Sequence, residues 1–95
     1  MKVQLSPRAA SDLRAILDYL DTQNPRAAKT VRSSILRALD ILGSFPGIGV
    51  AQKRRVRKYV VPQFPYLIYY SIAAREQEVR IISIRHAAGR PLFTP

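Results

Sequence analysis

Two helix starts of the same design lie close together near the beginning of the sequence, and they dictate much of what can follow. Ser6-Pro7 and Asn24-Pro25 each set a capping side chain before a proline. The capping oxygen accepts from a backbone amide that has no partner inside the helix, and proline gives up no hydrogen bond at the first helical position. Behind the first start, Ala10, Leu13, Leu17 and Leu20, with Ile16 beside them, recur at three- and four-residue spacing and leave Arg14, Asp18 and Asp21 toward water. This spacing predicts a helix over about 7–22. Behind the second start, Ala28, Val31, Ile35, Leu39 and Leu42 form another stripe, with Arg26, Lys29, Arg32 and Arg37 largely off it. Helices joined by so short a link must run antiparallel. Gly43 is expected to end the second helix in a left-handed conformation, and Pro46-Gly47 with Gly49 makes a turn-rich loop.

Beyond that loop the hydrophobic period changes from helical to alternating. Val56–Val61, Tyr66–Ile72 and Val79–Arg85 read as strands, as does Lys2-Val3-Gln4-Leu5 at the start. Pro62 and Pro65 bracket one connection, because proline cannot donate within a ladder, and the polar stretch Ala73–Glu78 makes the next. Consecutive strands with short links form an antiparallel meander. The expected fold is α+β in the order β-α-α-β-β-β, with the N-terminal strand and the helical hairpin packed on one face of a mainly antiparallel sheet. A chain of 95 residues has material for one core, so residues 1–95 are expected to form a single domain.

Several chemistries are excluded by what is missing. There is no cysteine, hence no thiolate nucleophile and no sulfur-ligated metal, and a single histidine cannot build a multi-histidine site. No phosphate-binding glycine loop supports a nucleotide, so neither a metal nor a cofactor is expected. The apolar runs are too short to span a membrane and the N-terminus has no signal-peptide core, so the expected location is the cytoplasm. The net charge of +10 is uneven: residues 1–50 carry seven basic and four acidic side chains, residues 51–95 nine basic and two acidic. Such a field draws in a partner of opposite sign, whether nucleic acid or an acidic protein.

The densest cluster is Lys53-Arg54-Arg55-Val56-Arg57-Lys58, with five cations in six residues. As part of a strand it points Arg55 and Arg57 to one side and Arg54 and Lys58 to the other. It either guards an edge strand against aggregation or grips phosphates or carboxylates of a partner. In Tyr66–Ile72, one face carries Tyr66, Ile68, Tyr70 and Ile72, yet Leu67 and Tyr69 occupy the other. In the last strand Val79 and Ile81 oppose Ile82 and Ile84 by the same alternation. A helical hairpin buries one face, so the second is covered by a partner chain, a second copy, or loops and the C-terminal tail. His86, between Arg85 and Arg90, is either a general acid or base suited to a phosphodiester or a histidine that merely ends a strand.

The opening strand with Ser6–Leu20, the Asn24–Ala28 start, the Leu42–Gly49 loop, Tyr66–Ile72 and the ending Val79–Arg90 together resemble the RelE/ParE superfamily of bacterial type II toxins, over nearly the whole chain. The helical start and the Arg-His-Ala-Ala-Gly-Arg ending are more similar to the ParE-like plasmid-stabilisation branch. That resemblance implies a toxin that inhibits DNA gyrase by binding, without a catalytic residue, and that forms a hetero-oligomer with a cognate antitoxin encoded by a neighbouring gene. Its target- or antitoxin-binding residues are then Lys53, Arg54, Arg55, Arg57, Lys58, Leu67, Tyr69, Arg85 and Arg90. The alternative branch is a ribosome-dependent messenger-RNA endonuclease, with Arg57, Lys58, Arg85 and His86 carried over as its catalytic set. Those nucleases commonly place a tyrosine near the last strand, where this chain has Phe93, which has no hydroxyl. A third reading is a non-toxic basic protein that binds nucleic acid.

Overall fold

The computed structural model describes residues 1–88. Strand β1 (Lys2–Leu5) leads into helices α1 (Pro7–Gln23) and α2 (Pro25–Ser44), a 3-10 turn at Pro46–Ile48, and four strands. These are β2 (Val50–Ala51), β3 (Arg57–Val60), β4 (Tyr66–Ala73) and β5 (Glu78–His86). The sheet order is β1-β5-β4-β3-β2, antiparallel except where β1 lies parallel along β5. The helical hairpin covers one face. Among the described residues, no helix is long and apolar enough to cross a membrane.

Both caps form as the sequence requires. The Ser6 hydroxyl oxygen accepts from the Ala9 amide at 3.0 Å, and Asn24 Oδ1 accepts from the Ala27 amide at 3.1 Å. Asn24 also closes the first helix, its own amide donating to Leu20 O at 2.6 Å, so one extended residue serves as the whole link.

The sequence expectation needs four corrections. First, the sheet gains a short strand, β2, because two residues at Val50–Ala51 carry no periodicity and become a strand only by pairing with Arg57–Lys58. Second, Gly43 does not stop α2, which continues through Ser44. Its small size is needed instead for close approach, since a Cβ there would lie 2.9 Å from Met1 O and 3.1 Å from Val3 Cγ2. Third, α1 is rotated from its apparent stripe: Ala9 and Ile16 are buried, while Ala10 and Leu17 line an open groove of about 490 Å³ between the helices.

The fourth correction concerns β5. Tyr69 pairs with Ser83 but Tyr70 with Ile81, so Ile82 is an extra residue. A bulge of this kind shifts the alternation by one. Val79, Ile81 and Ile84 are consequently all buried in the core, and Ile82 is left 37% exposed.

Helix α1 also seals an edge. Strand β1 pairs with β5 only from Glu78 to Ile81, and beyond that point the helix start takes over. Ser6 donates its amide to Ile81 O at 3.0 Å and its hydroxyl to Ile82 O at 2.9 Å. Further along the helix, Asp12 Oδ2 accepts from the Ile84 amide at 3.0 Å. Polar groups that would otherwise face an open edge are thus satisfied by the backbone and side chain of the capping Ser6 and by the Asp12 carboxylate of the first helix.

Candidate functional site

Cross-strand partners share a face of the sheet, so the register sorts the candidate residues without ambiguity. Lys58 pairs with Tyr69, Val60 with Leu67, and Leu67 with Arg85. These side chains lie on the face away from the helices, joined at the edge by Val50 opposite Lys58. Arg57 pairs instead with the buried Tyr70, and His86 with the buried Tyr66, which puts both on the helix-covered face.

The open face is apolar ground with cations standing in it. Val50 and Val60 are 65% and 55% exposed. Leu67 and Tyr69 are half-buried. The Arg85 guanidinium lies 5.6 Å from the centre of the Tyr69 ring, within range of a cation–π contact. Arg80 is paired with Glu78 at 2.8 Å. Among the described residues, neither Lys58 nor Arg85 has an acidic partner. Apolar side chains give such a surface its binding energy on burial, and unpaired cations raise the encounter rate with an acidic partner.

The residues on the other face have structural employment. Arg57 Nη1 donates to Gly49 O at 2.8 Å and to Gly47 O at 3.3 Å, holding the loop before β2. His86 Nδ1 accepts from the Ala88 amide at 3.1 Å, and its ring meets Tyr66 edge to face at 5.7 Å. The adjoining Ala87 amide donates to Pro65 O at 2.6 Å. This arrangement closes the end of the sheet. Burial, and secondarily Tyr19, pushes the Tyr66 hydroxyl above its ordinary pKa of 10.0.

The basic cluster is divided in a third way. Lys53, Arg54 and Arg55 are exposed in the turn between β2 and β3, not in a strand, so the expected alternation of Arg54 and Arg55 does not apply to them. Arg90 and the Pro91–Pro95 tail with Phe93 lie outside the described residues.

Sequence reasoning overlooked Val50 and Val60 as part of the open face. Val50 sits in a loop-like stretch with no alternation to reveal it. Val60 precedes a valine that is buried, and only the pairing with Leu67 decides between the two.

Residues 3–91 match the family described as the ParE toxin of the type II toxin–antitoxin system parDE. The chain is 38% identical over 81 residues to Toxin RelE2 of Caulobacter vibrioides, covering 85% of this chain and 89% of that protein. It is 30% identical over 87 residues to Putative toxin Y4kP of Sinorhizobium fredii, covering 90% and 88% respectively. Its fold matches a chain of the chromosomal ParDE system from P. aeruginosa with a TM-score of 0.77 at 21% identity, covering 90% of this chain and 95% of that one.

Proposed function

Because the chain belongs to the ParE toxin family of type II toxin–antitoxin systems, we propose that it inhibits DNA gyrase by binding and that a cognate antitoxin neutralises it. The observation that carries this reading is the division of Arg57, Lys58, Arg85 and His86 between two faces of the sheet. A nuclease needs its proton-transfer group and its phosphate-binding cations around one scissile bond. Here His86 packs against Tyr66 on the helix side, and Arg57 pairs with Tyr70 on that same side, across the sheet from Lys58 and Arg85. Among the described residues, Lys58 and Arg85 on the open face are left without a titrating partner suited to neutral pH. An inhibitor has a lesser requirement, because it need only bind one state of an enzyme–DNA cycle more tightly than the others.

The antitoxin is assigned to the open face. An extended or helical segment with acidic side chains covers Val60, Leu67 and Tyr69 while its carboxylates meet Lys58 and Arg85. A toxin–antitoxin hetero-oligomer in the cytoplasm is the resting form, and toxicity follows release of that face.

The test incubates the purified chain with gyrase, ATP and relaxed plasmid, alongside programmed ribosomes with messenger RNA. Lost supercoiling or accumulated cleaved DNA, with intact RNA, is the expected result. Codon-positioned RNA cleavage with normal supercoiling would overturn it in favour of the ribosome-dependent nuclease.

A further inference from the structure

The turn joining β2 to β3 contains an oddity of backbone and charge together. Arg54 and Arg55 have φ of 60° and 61°, consecutive left-handed residues at the centre of a turn closed by the Val56 amide donating to Lys53 O at 3.3 Å. This is type I′ geometry, which asparagine and glycine adopt readily and side chains such as arginine do not. Gln63 and Gln77 are also left-handed, but each is a single residue, and the Gln77 side chain bonds back to Ala74 O at 3.0 Å. Nothing comparable steadies the arginines. Among the described residues, Lys53, Arg54 and Arg55 have no ion-pair partner and the arginine side chains make no hydrogen bond. Strain kept in a turn without local compensation points to a use for those side chains outside the fold.

A second observation lies beneath the turn. A depression of about 230 Å³ is lined by Ala51, Gln52, Arg55, Val56, Arg57 and Ile72. Among the described residues, Arg57 commits only Nη1, to the loop carbonyls, which leaves its Nε and Nη2 donors. Arg55 and Arg57 both line this hollow, and the forked donors of a guanidinium suit a phosphodiester.

We propose that this hairpin tip is a phosphodiester-binding element that grips duplex DNA, with Arg54 and Arg55 on the backbone and the hollow between Arg55 and Arg57 receiving one phosphate. The tip, residues 52–55, is exposed and polar throughout. A protein partner needs apolar anchors, which this chain presents on its open sheet face instead. A two-stranded ribbon fits the major groove of B-form DNA, about 12 Å wide, whereas the deep, narrow groove of A-form RNA excludes it. The inference deepens the reading of the chain as an inhibitor of a DNA-bound enzyme, but bare DNA needs no enzyme, so the two can fail separately.

The test compares the purified chain with the double variant Arg54→Asn/Arg55→Gly, which keeps a turn-compatible sequence and removes both charges. The double variant Arg26→Gln/Arg37→Gln removes the same charge from α2. Binding to a short labelled DNA duplex is followed by anisotropy against salt, with a matching RNA duplex in parallel and a thermal melt of each protein. The turn variant should lose about 0.9 per phosphate contact from the slope of log K against log salt, about 1.8 in all. Its Tm should equal or exceed that of the unaltered chain, and the α2 variant should keep its slope. An unaltered slope in the turn variant, an equal loss in the α2 variant, a lowered Tm in the turn variant, or equal binding of the RNA duplex would each overturn the proposal. Gyrase inhibition measured on the same proteins reports separately on the broader reading.

Discussion

The Tyr70 hydroxyl accepts a hydrogen bond from the Gly49 amide at 2.8 Å and donates one to Pro46 O at 2.6 Å, so a single buried phenol fastens the helix-to-sheet loop onto the middle strand. Gly49 is required there for space, not for its backbone angles. A Cβ would lie 2.6 Å from the hydroxyl and 2.7 Å from the ring. Arg57 reaches the same loop from β3, which makes the loop the common anchor of β2, β3 and β4.

Replacing Tyr70 with phenylalanine strands the Gly49 amide and the Pro46 carbonyl with almost no change of shape. The expected loss is about 1–3 kcal/mol. With roughly 4–8 °C per kcal/mol for a domain of this size, thermal melting reads it directly. Gly49→Ala should be worse, because it displaces the ring as well as the hydroxyl. The double variant should cost less than the two single losses added together, since each removes the same bonds.

A second prediction concerns the edge of β5. Asp12→Ala removes the acceptor of the Ile84 amide, and the expected cost is about 1.5–3 kcal/mol for a hydrogen bond to a charged group. Asp12→Asn keeps an oxygen in place and should cost clearly less. Amide exchange at Ile84, followed by NMR, should accelerate strongly in the alanine variant and modestly in the asparagine one. Equal exchange in both would show that helix packing, and not the carboxylate, protects this edge.

These relationships mark the limit of what the sequence discloses. The two proline-led caps, the helical hairpin and the meander of β3, β4 and β5 were legible because each depends on neighbours in the chain. The bulge at Ile82 was not, since two registers fit an apolar run and only the pairing of Tyr69 and Tyr70 chooses one. Strand β2 was hidden because two residues carry no periodicity, and only pairing with Arg57 and Lys58 makes them a strand. At the site, alternation alone set Arg57 on the side away from Lys58 and put Leu67 with Tyr69, but that Lys58 stands beside Tyr69, that Leu67 stands beside Arg85, and that His86 falls on the helix side, all depend on strand register. A count of cations along the chain carries no information about which face each one occupies.

Tyr66 supplies a prediction in alkali. Its folded pKa is raised by burial first and by Tyr19 second, so the native state holds the phenolic proton more tightly than the unfolded chain does. The folded state then binds more protons between the unfolded value of 10.0 and the raised one. Stability is fully present below pH 10 and falls as pH rises through that window. Denaturant titrations above pH 10 should show this decline, and Tyr66→Phe should flatten it. An unchanged slope in the variant would assign the alkaline loss to another group.

The last prediction separates the two chemistries that the family resemblance allows. Among the described residues Lys58 and Arg85 stand on the open face without acidic partners, so changing both to glutamine removes charge with little loss of packing. Arg85 leaves its place beside the Tyr69 ring, a contact of about 0.5–1 kcal/mol when exposed, which a stable fold tolerates. The double variant should therefore fold, yet associate with antitoxin and target more slowly, with a weaker dependence on salt. Arg57 is unsuitable for this test because its loss would free the loop at Gly47 and Gly49. His86→Ala has the opposite character. It removes the edge contact to Tyr66 and the acceptor of the Ala88 amide, so it should lower Tm without lowering toxicity per folded molecule. Growth arrest is compared after induction at matched soluble levels, with melting temperatures taken on the same proteins. Weakened arrest in Lys58→Gln/Arg85→Gln and full arrest in His86→Ala agree with an inhibitor that works by contact. If the histidine change alone abolishes arrest while the protein stays folded, a proton is being transferred at that residue, and the nuclease reading replaces this one.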